Sequence, residues 1–425
     1  MIWLYRIIFL PLLLVAAPYY LWRMRRRGGY AAGFGGRFGD TEALPPKVAG
    51  RKRVWLQAVS VGEMLAIAPL LEAFRREGNT EVYLTTTTST GYRLAKEKYA
   101  ALTIGIGYFP LDFWGFSERA WWRVKPDLCI LMEGERWPEH VYQAKAHGVP
   151  VLCVNARLSD RSYRRSVRSA WLLRPLTNSI TRILCASKRD EQRFRAIGYP
   201  PERLQTTGNL KLDVDIPALP AAQLGQLRRE LGLGDGLVLL GSSTWAGEEA
   251  ALLTAFQQAR ARGLKVSLLL VPRHAERREE LRGLLAKSGW SFHFRSEGPA
   301  PGPVDIVVGD TTGELQKFTQ LADVVFVGKS LAPHDGGQTP VEAAILEKPL
   351  LHGPHMTNFR EIIRGLTEAG AVRKVETHAE LISAVGELLQ DAGQRAKLSA
   401  AAHEWHEANR GATGRTLAVI KELLA

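Results

Sequence analysis

Two short acidic stretches follow apolar runs in the first half of the chain. Ser60-Val61-Gly62-Glu63 follows the run at 54–59, and Glu133-Gly134-Glu135-Arg136-Trp137-Pro138 follows the run at 128–131. Gly62 permits a tight strand-to-helix turn, Ser60 suits a helix N-cap, and Glu63 then falls in the first helical turn, where the dipole favours an anion. Two roles fit Glu63: a capping acid, or a general base that takes a proton from a reacting hydroxyl. Glu133 and Glu135 stand one residue apart at a strand end, where packing does not call for two carboxylates. They read as a second acid or as contacts to an acceptor, with a loop salt-bridged through Arg136 as the competing role.

Anion-binding compositions follow further runs. Residues 85–90 are an unbroken series of small hydroxyls ending at Gly91. Gly208-Asn209-Leu210-Lys211 precedes a Pro-bearing segment, and Ser242-Ser243-Thr244 leads through Gly247 into a helix. Pro272-Arg273-His274, then 309–315, then Gly336-Gly337-Gln338-Thr339-Pro340-Val341-Glu342 complete the set. Backbone N–H groups and hydroxyls at helix starts suit a phosphate. The spacing is not that of a Walker loop, so it calls for an anion but not for ATP. A Glu one turn after a glycine pair suits ribose hydroxyls. Metal chemistry is not expected: Gly353-Pro354 interrupts His352 and His355, and Asp213-Val214-Asp215 lies in a connecting segment.

These loops need elements to hold them. Apolar runs at 54–59, 82–86, 128–131, 151–154 and 183–186 read as buried strands, and so do 238–240, 266–271, 306–308, 324–327 and 350–351. Amphipathic stretches separate them. In the stretch 63–76, Met64, Ile67, Leu71 and Phe74 form one apolar face, and Pro69 marks a kink or a restart. Strands alternating with helices indicate an α/β architecture, and the rhythm resets after 217–220. The expected organisation is an anchor and basic flank at 1–27, a linker at 28–50, a nucleotide-fold domain at 51–215, a joint at 216–220 and a second such domain at 221–425, whose last helix could return to the first. Ligands of such sheets bind beyond the carboxyl ends of the strands, where the motifs lie.

The 425 residues carry a net charge of +13, which suits nucleic acid, an anionic membrane surface or a phosphorylated substrate. Much of that charge lies beside the amino-terminal apolar stretch and no nucleic-acid recognition motif is present, so nucleic acid is not expected. Residues 2–21 are apolar apart from Arg6, about 30 Å as a helix. Arg23, Arg25, Arg26 and Arg27 follow it, with Tyr19, Tyr20 and Trp22 at the same end. In a cleaved signal the charges would come first. A retained anchor with the bulk of the chain in the cytoplasm is expected, either spanning or, given Pro11 and Pro18, kinked within one leaflet. Arg157, Arg161, Arg164, Arg165, Arg168 and Arg174, with aromatic residues at 113–122, form either a solvated face or a contact for an anionic lipid. Cys129, Cys153 and Cys185 lie in apolar runs and are expected to be reduced and buried.

The motifs, in this order, resemble the 3-deoxy-D-manno-octulosonic acid (Kdo) transferase family. The resemblance rests on AVSVGE at 58–63, TTTTSTG at 85–91, NARLSDRS at 155–162, TGNLKLD at 207–213, GDTTGELQKF at 309–318 and HGPHMTNFREI at 352–362. It implies a GT-B fold, two Rossmann-like domains facing a cleft, with an anchor at the cytoplasmic face of the bacterial inner membrane. It implies inverting transfer of Kdo from CMP-Kdo to a lipid A precursor in lipopolysaccharide assembly, without a metal. Glu63 would be the general base and Lys211, Ser243, Thr244, Arg273, Gly336, Gly337, Gln338 and Glu342 the donor contacts. The family usually has Glu-Thr-Glu-Leu-Trp-Pro at 133–138, a His at Trp245 and an Asn at Thr339. Alternatives of similar architecture are a membrane-associated GT-B transferase with another nucleotide-sugar and a sugar-nucleotide epimerase. A non-catalytic binding protein would not need Glu63 together with the later loops.

Overall fold

A computed structural model describes residues 1–27 and 33–425, without the side chains of Leu21, Arg23–Arg27, Leu172 and Leu173. The basic flank's arginine side chains and part of the 28–50 linker thus lie outside the described residues. The chain divides into two compact units, Met1–Val214 with Asn409–Ala425, and Asp215–Ala408.

The first unit holds a seven-stranded parallel sheet. Its strands are β1 (Lys52–Gln57), β2 (Thr80–Thr86), β3 (Gly105–Tyr108), β4 (Leu128–Met132), β5 (Val151–Ala156), β6 (Arg182–Cys185) and β7 (Leu204–Thr206). Their order is β3-β2-β1-β4-β5-β6-β7. Val54 and Leu56 enter the core on one face while Trp55 enters the core on the other. Burial on both faces is why the inner strands read as continuous apolar runs. The stretch 63–76 forms two helices, Val61–Ala66 and Ala68–Glu77, with Pro69 in the first turn of the second. Met64, Ile67, Leu71 and Phe74 are buried as the spacing requires. The closing helix Ala412–Leu424 packs Val419 and Ile420 into this same core.

The second unit repeats the design with β8 (Leu237–Thr244), β9 (Val266–Pro272), β10 (Phe292–Phe294), β11 (Ile306–Val308), β12 (Val324–Val327), β13 (Leu350–His352) and β14 (Val372–Lys374). Their order is β10-β11-β9-β8-β12-β13-β14, all parallel. Strand order reverses between β1 and β4 in the first sheet and between β8 and β12 in the second. A crevice opens at such a reversal because the flanking connections run to opposite faces. Among the described residues one helix, over Ile2–Tyr20, is long and apolar enough to cross a membrane.

Candidate active site

Both acidic stretches follow the two strands that flank the first reversal, since Gln57 of β1 is paired with Leu131 of β4. Ser60 caps the helix Val61–Ala66, its Oγ accepting the Glu63 N–H at 3.3 Å. The Glu63 carboxylate accepts the Val59 N–H at 2.8 Å and the Ser60 hydroxyl at 3.0 Å. Glu63 therefore fills the capping position while its side chain is buried. Burial, and after it the charge of Glu133, push its pKa up to about 7 against those two hydrogen bonds. The Thr86, Thr87 and Thr88 hydroxyls lie 3.2–3.4 Å from the Val59 carbonyl. The hydroxyl run, read from sequence as an anion site, here staples the turn that carries Glu63.

Glu133 adopts a left-handed backbone with φ 55° and accepts from Lys211 Nζ at 3.1 Å and from Arg157 at 3.3 Å. Burial opposes its ionisation, but Lys211 and Arg157 overcome that and hold it below the ordinary carboxylate value. Glu135 goes the other way, raised by burial and by Glu133. Arg136 donates to Ser166 Oγ at 2.9 Å, and its charge offsets only part of the rise at Glu135. Lys211, grouped by sequence with the second-half loops, lies in the first unit on Glu133. Arg157 likewise belongs to this acidic centre, whereas Arg161, Arg164 and Arg165 are exposed on the helix Asp160–Arg168.

In the second unit the loops after β8 and β12 flank the other reversal. Ser243 has φ 53°, and Thr244 Oγ1 is buried without a hydrogen-bond partner. Glu248 ties the two loops together, accepting N–H groups of Trp245, Lys329, Ser330 and Leu331 at 2.9–3.3 Å. Gly337 N–H donates to Lys329 O and Gln338 N–H to Gly328 O, both at 3.0 Å. Gly337 has φ 68°, and a Cβ there would sit 2.3 Å from Met356 Sδ. Thr339 Oγ donates to Glu342 at 3.0 Å, and burial raises the Glu342 pKa. Arg273, after β9, is exposed, and its backbone N–H donates to Thr244 O. Ser243, Thr244, Gly336, Gly337, Gln338 and Glu342 thus share one end of the sheet.

Other sequence candidates have structural work. Asp310 binds Arg278 and Ser296, and Glu314 binds Arg295 and Thr311. Asp213 accepts the Gly411 and Thr413 N–H groups at the start of the last helix. The three cysteines are free and buried. Sequence reading passed over Glu248 and Lys329. Glu248 is a first-turn acid of the helix Glu248–Ala261, a common position that by itself signals no tie between loops. Lys329 stands directly after the buried run 324–327, and a cation at that position was the available signal. Its φ is 58°, its ammonium lies 4.8 Å from the centre of the Trp245 ring, and it makes no ion pair among the described residues.

Comparison with known proteins identifies this arrangement. A family model described as 3-deoxy-D-manno-octulosonic-acid transferase (kdotransferase) matches residues 32–214. The 3-deoxy-D-manno-octulosonic acid transferase of Bordetella pertussis is 35% identical, over 95% of this chain and 95% of its own. That of Haemophilus influenzae is 32% identical, over 98% of this chain and 95% of its own. The chain belongs to the Kdo transferase family. It is a glycosyltransferase. Its fold is shared with a putative UDP-N-acetylglucosamine 2-epimerase from Listeria monocytogenes, at TM-score 0.60 and 16% identity over 87% of this chain and 96% of that one.

In this Kdo transferase the departures from the usual motif have visible consequences. Gly134 stands where Thr is usual, and a Cβ there would lie 2.8 Å from the Arg157 carbonyl. The acidic loop therefore closes down on the segment that supplies Arg157. Trp245 stands where His is usual and packs between His274 and His334, at 5.2 and 5.4 Å between ring centres. Thr339, in place of Asn, is the partner of Glu342.

Proposed function

We propose that this transferase moves Kdo from CMP-Kdo onto a lipid A precursor, lipid IVA, with inversion at the anomeric carbon, at the cytoplasmic face of the inner membrane. Glu63 carries this reading. A carboxylate buried after β1, with its pKa near 7, is a stronger base than a solvated Glu and is still substantially ionised at neutral pH. Each of its oxygens takes one hydrogen bond, which leaves acceptor capacity for a hydroxyl proton. Glu63 removes the proton from the acceptor hydroxyl as that oxygen bonds to the anomeric carbon. The bond from that carbon to the CMP phosphate breaks, and the phosphate leaves with the electron pair. Glu133 is a weaker base because Lys211 and Arg157 neutralise it, which suits it to holding the acceptor.

The leaving phosphate is a good leaving group, so its departure needs electrostatic stabilisation rather than protonation. The hydroxyls of Ser243 and Thr244 and the Arg273 guanidinium supply donors of the right kind, the glycine pair Gly336 and Gly337 lets a phosphate come close to the backbone, and Glu342 suits the ribose. The membrane-side assignments draw on the apolar helix over Ile2–Tyr20 and the exposed Arg161, Arg164 and Arg165.

The test is product formation by the purified protein with CMP-Kdo and a tetraacylated lipid A precursor, beside Glu63→Ala. A mass gain by Kdo units in the wild type, lost in the variant, is expected. Gain in both would move the base to Glu135 or Glu133. Gain in neither, with folded protein, would overturn the donor or acceptor.

A further inference from the structure

The start of the amino-terminal apolar helix and the chain beyond that helix are fastened to one place. Tyr5 donates to Asp112 Oδ2 at 2.6 Å, and Asp112 Oδ1 accepts the Glu139 and His140 N–H groups at 3.0 and 3.1 Å. Arg6 forks onto Glu139 with bonds of 2.9 and 2.8 Å, the two side chains being 8% and 0% exposed. The Arg6 guanidinium also lies 4.7–5.3 Å from the ring centres of Trp3, Trp114 and Tyr142. Phe9 stacks on Phe113 at 6.4 Å. Beyond the apolar segment, Phe38 packs on Phe116 at 5.3 Å, and Arg37 O accepts the Leu111 N–H at 2.9 Å. Residues 5–9 and residues 37–38 therefore both sit on the 111–116 stretch.

A spanning helix must carry one end across roughly 30 Å of hydrocarbon. The first turns of this apolar stretch and the chain at 37–38 are bonded to the same surface of the first unit. A spanning helix would oblige the ten residue steps from Arg27 to Arg37, at most about 35 Å, to recross the hydrocarbon at nearly full stretch with unpaired backbone, which lipid does not tolerate. Sending Tyr5 and Arg6 to the opposite side would break a buried forked ion pair and leave Glu139 charged and unpartnered, which is strongly unfavourable.

The helix nevertheless demands lipid. Ile7, Leu10, Leu12, Leu14 and Val15 are between 41% and 80% exposed. Pro175 and Leu176 of the helix Ala170–Thr177 line a hollow with Met1 and Ile2, and Trp171 of that helix is 74% exposed. The preceding helix, Asp160–Arg168, exposes Arg161, Arg164, Arg165 and Arg168, which form no ion pair among the described residues. Anionic headgroups complement this charge beside an apolar insertion.

We infer that the amino-terminal helix is a single-leaflet anchor, embedded in the anionic leaflet on the side of the first unit, and not a membrane span. This rests on the membrane association proposed above and specifies its geometry. Because Glu139 lies in the first turn of the helix that follows Glu133-Gly134-Glu135, the anchor sets that acidic loop at the level of the leaflet.

The full chain, carrying an epitope either ahead of Met1 or after Ala425, is expressed in a Gram-negative host, and spheroplasts are treated with protease before and after lysis. Both epitopes are expected to be protected in intact spheroplasts, both to be cut after lysis, and both proteins to fractionate with membranes. Cleavage of the leading epitope alone in intact spheroplasts would overturn the single-leaflet geometry and leave membrane association standing. Recovery in the soluble fraction would overturn both.

Discussion

Glu63, Glu133 and Glu135 follow adjacent strands, yet their surroundings set them to different protonation. Burial raises Glu63 to about 7, and Lys211 with Arg157 keeps Glu133 low. Glu63→Gln is expected to lower kcat by about 10²- to 10⁴-fold with the donor KM little changed, read by steady-state kinetics. Wild-type kcat/KM should fall as pH drops through about 7, because the base is lost to protonation. Stability runs in the opposite sense. The folded pKa lies above the ordinary 4.5, so this group's contribution is full below 4.5 and is lost as pH rises through about 7. Between pH 5 and 8, denaturant titrations should show the wild type losing on the order of 2–3 kcal/mol relative to Glu63→Gln. Lys211→Met removes a cation from this cluster, and the acid limb of the rate profile is expected to move to higher pH. An unmoved limb would separate Lys211 from the base.

At the scale of elements, the site is built from loops that side chains fasten together. Glu248 joins the loops after β8 and β12 through four backbone N–H groups. Glu248→Ala would strand those buried donors, at a cost of about 3 kcal/mol or more, and should weaken CMP binding measured by calorimetry. At the amino-terminal helix, Arg6→Met leaves Glu139 buried and unpaired, so a loss of about 3–5 kcal/mol is expected in thermal unfolding, with much of it recovered in the Arg6→Met, Glu139→Gln double variant. The inner strands were legible from sequence because burial on both faces makes them apolar throughout. The runs gave no signal for β3, β7, β10 and β14, which are the four sheet edges. An edge strand pairs on one side only, and these span three or four residues, as in Val372–Lys374 with its two cations.

At the scale of the whole chain, the division into two units does not follow sequence order. The last helix leaves the second half and completes the first unit's core, with Asp213 capping its start. Deleting 409–425 is therefore expected to expose the first sheet while sparing the second. Hydrogen exchange followed by mass spectrometry should show lost protection in β1 and β4 and unchanged protection in β8 and β12. Equal loss in both sheets would contradict that assignment.

The sequence by itself determined the alternation of strand and helix, the reset after 217–220, and the placing of acids and small residues after strands. Those properties are local: a doubly buried strand must be apolar, and a tight strand-to-helix turn favours glycine and hydroxyl residues. Tertiary structure decided which partners each group meets. Lys211 and Glu133 are 78 residues apart in the chain, Arg6 and Glu139 are 133 apart, and Asp213 and Gly411 are 198 apart. No periodicity carries such pairings, because strand order and chain return create them. They set which carboxylate is neutralised, which is raised, and which surface of the first unit the amino-terminal helix meets.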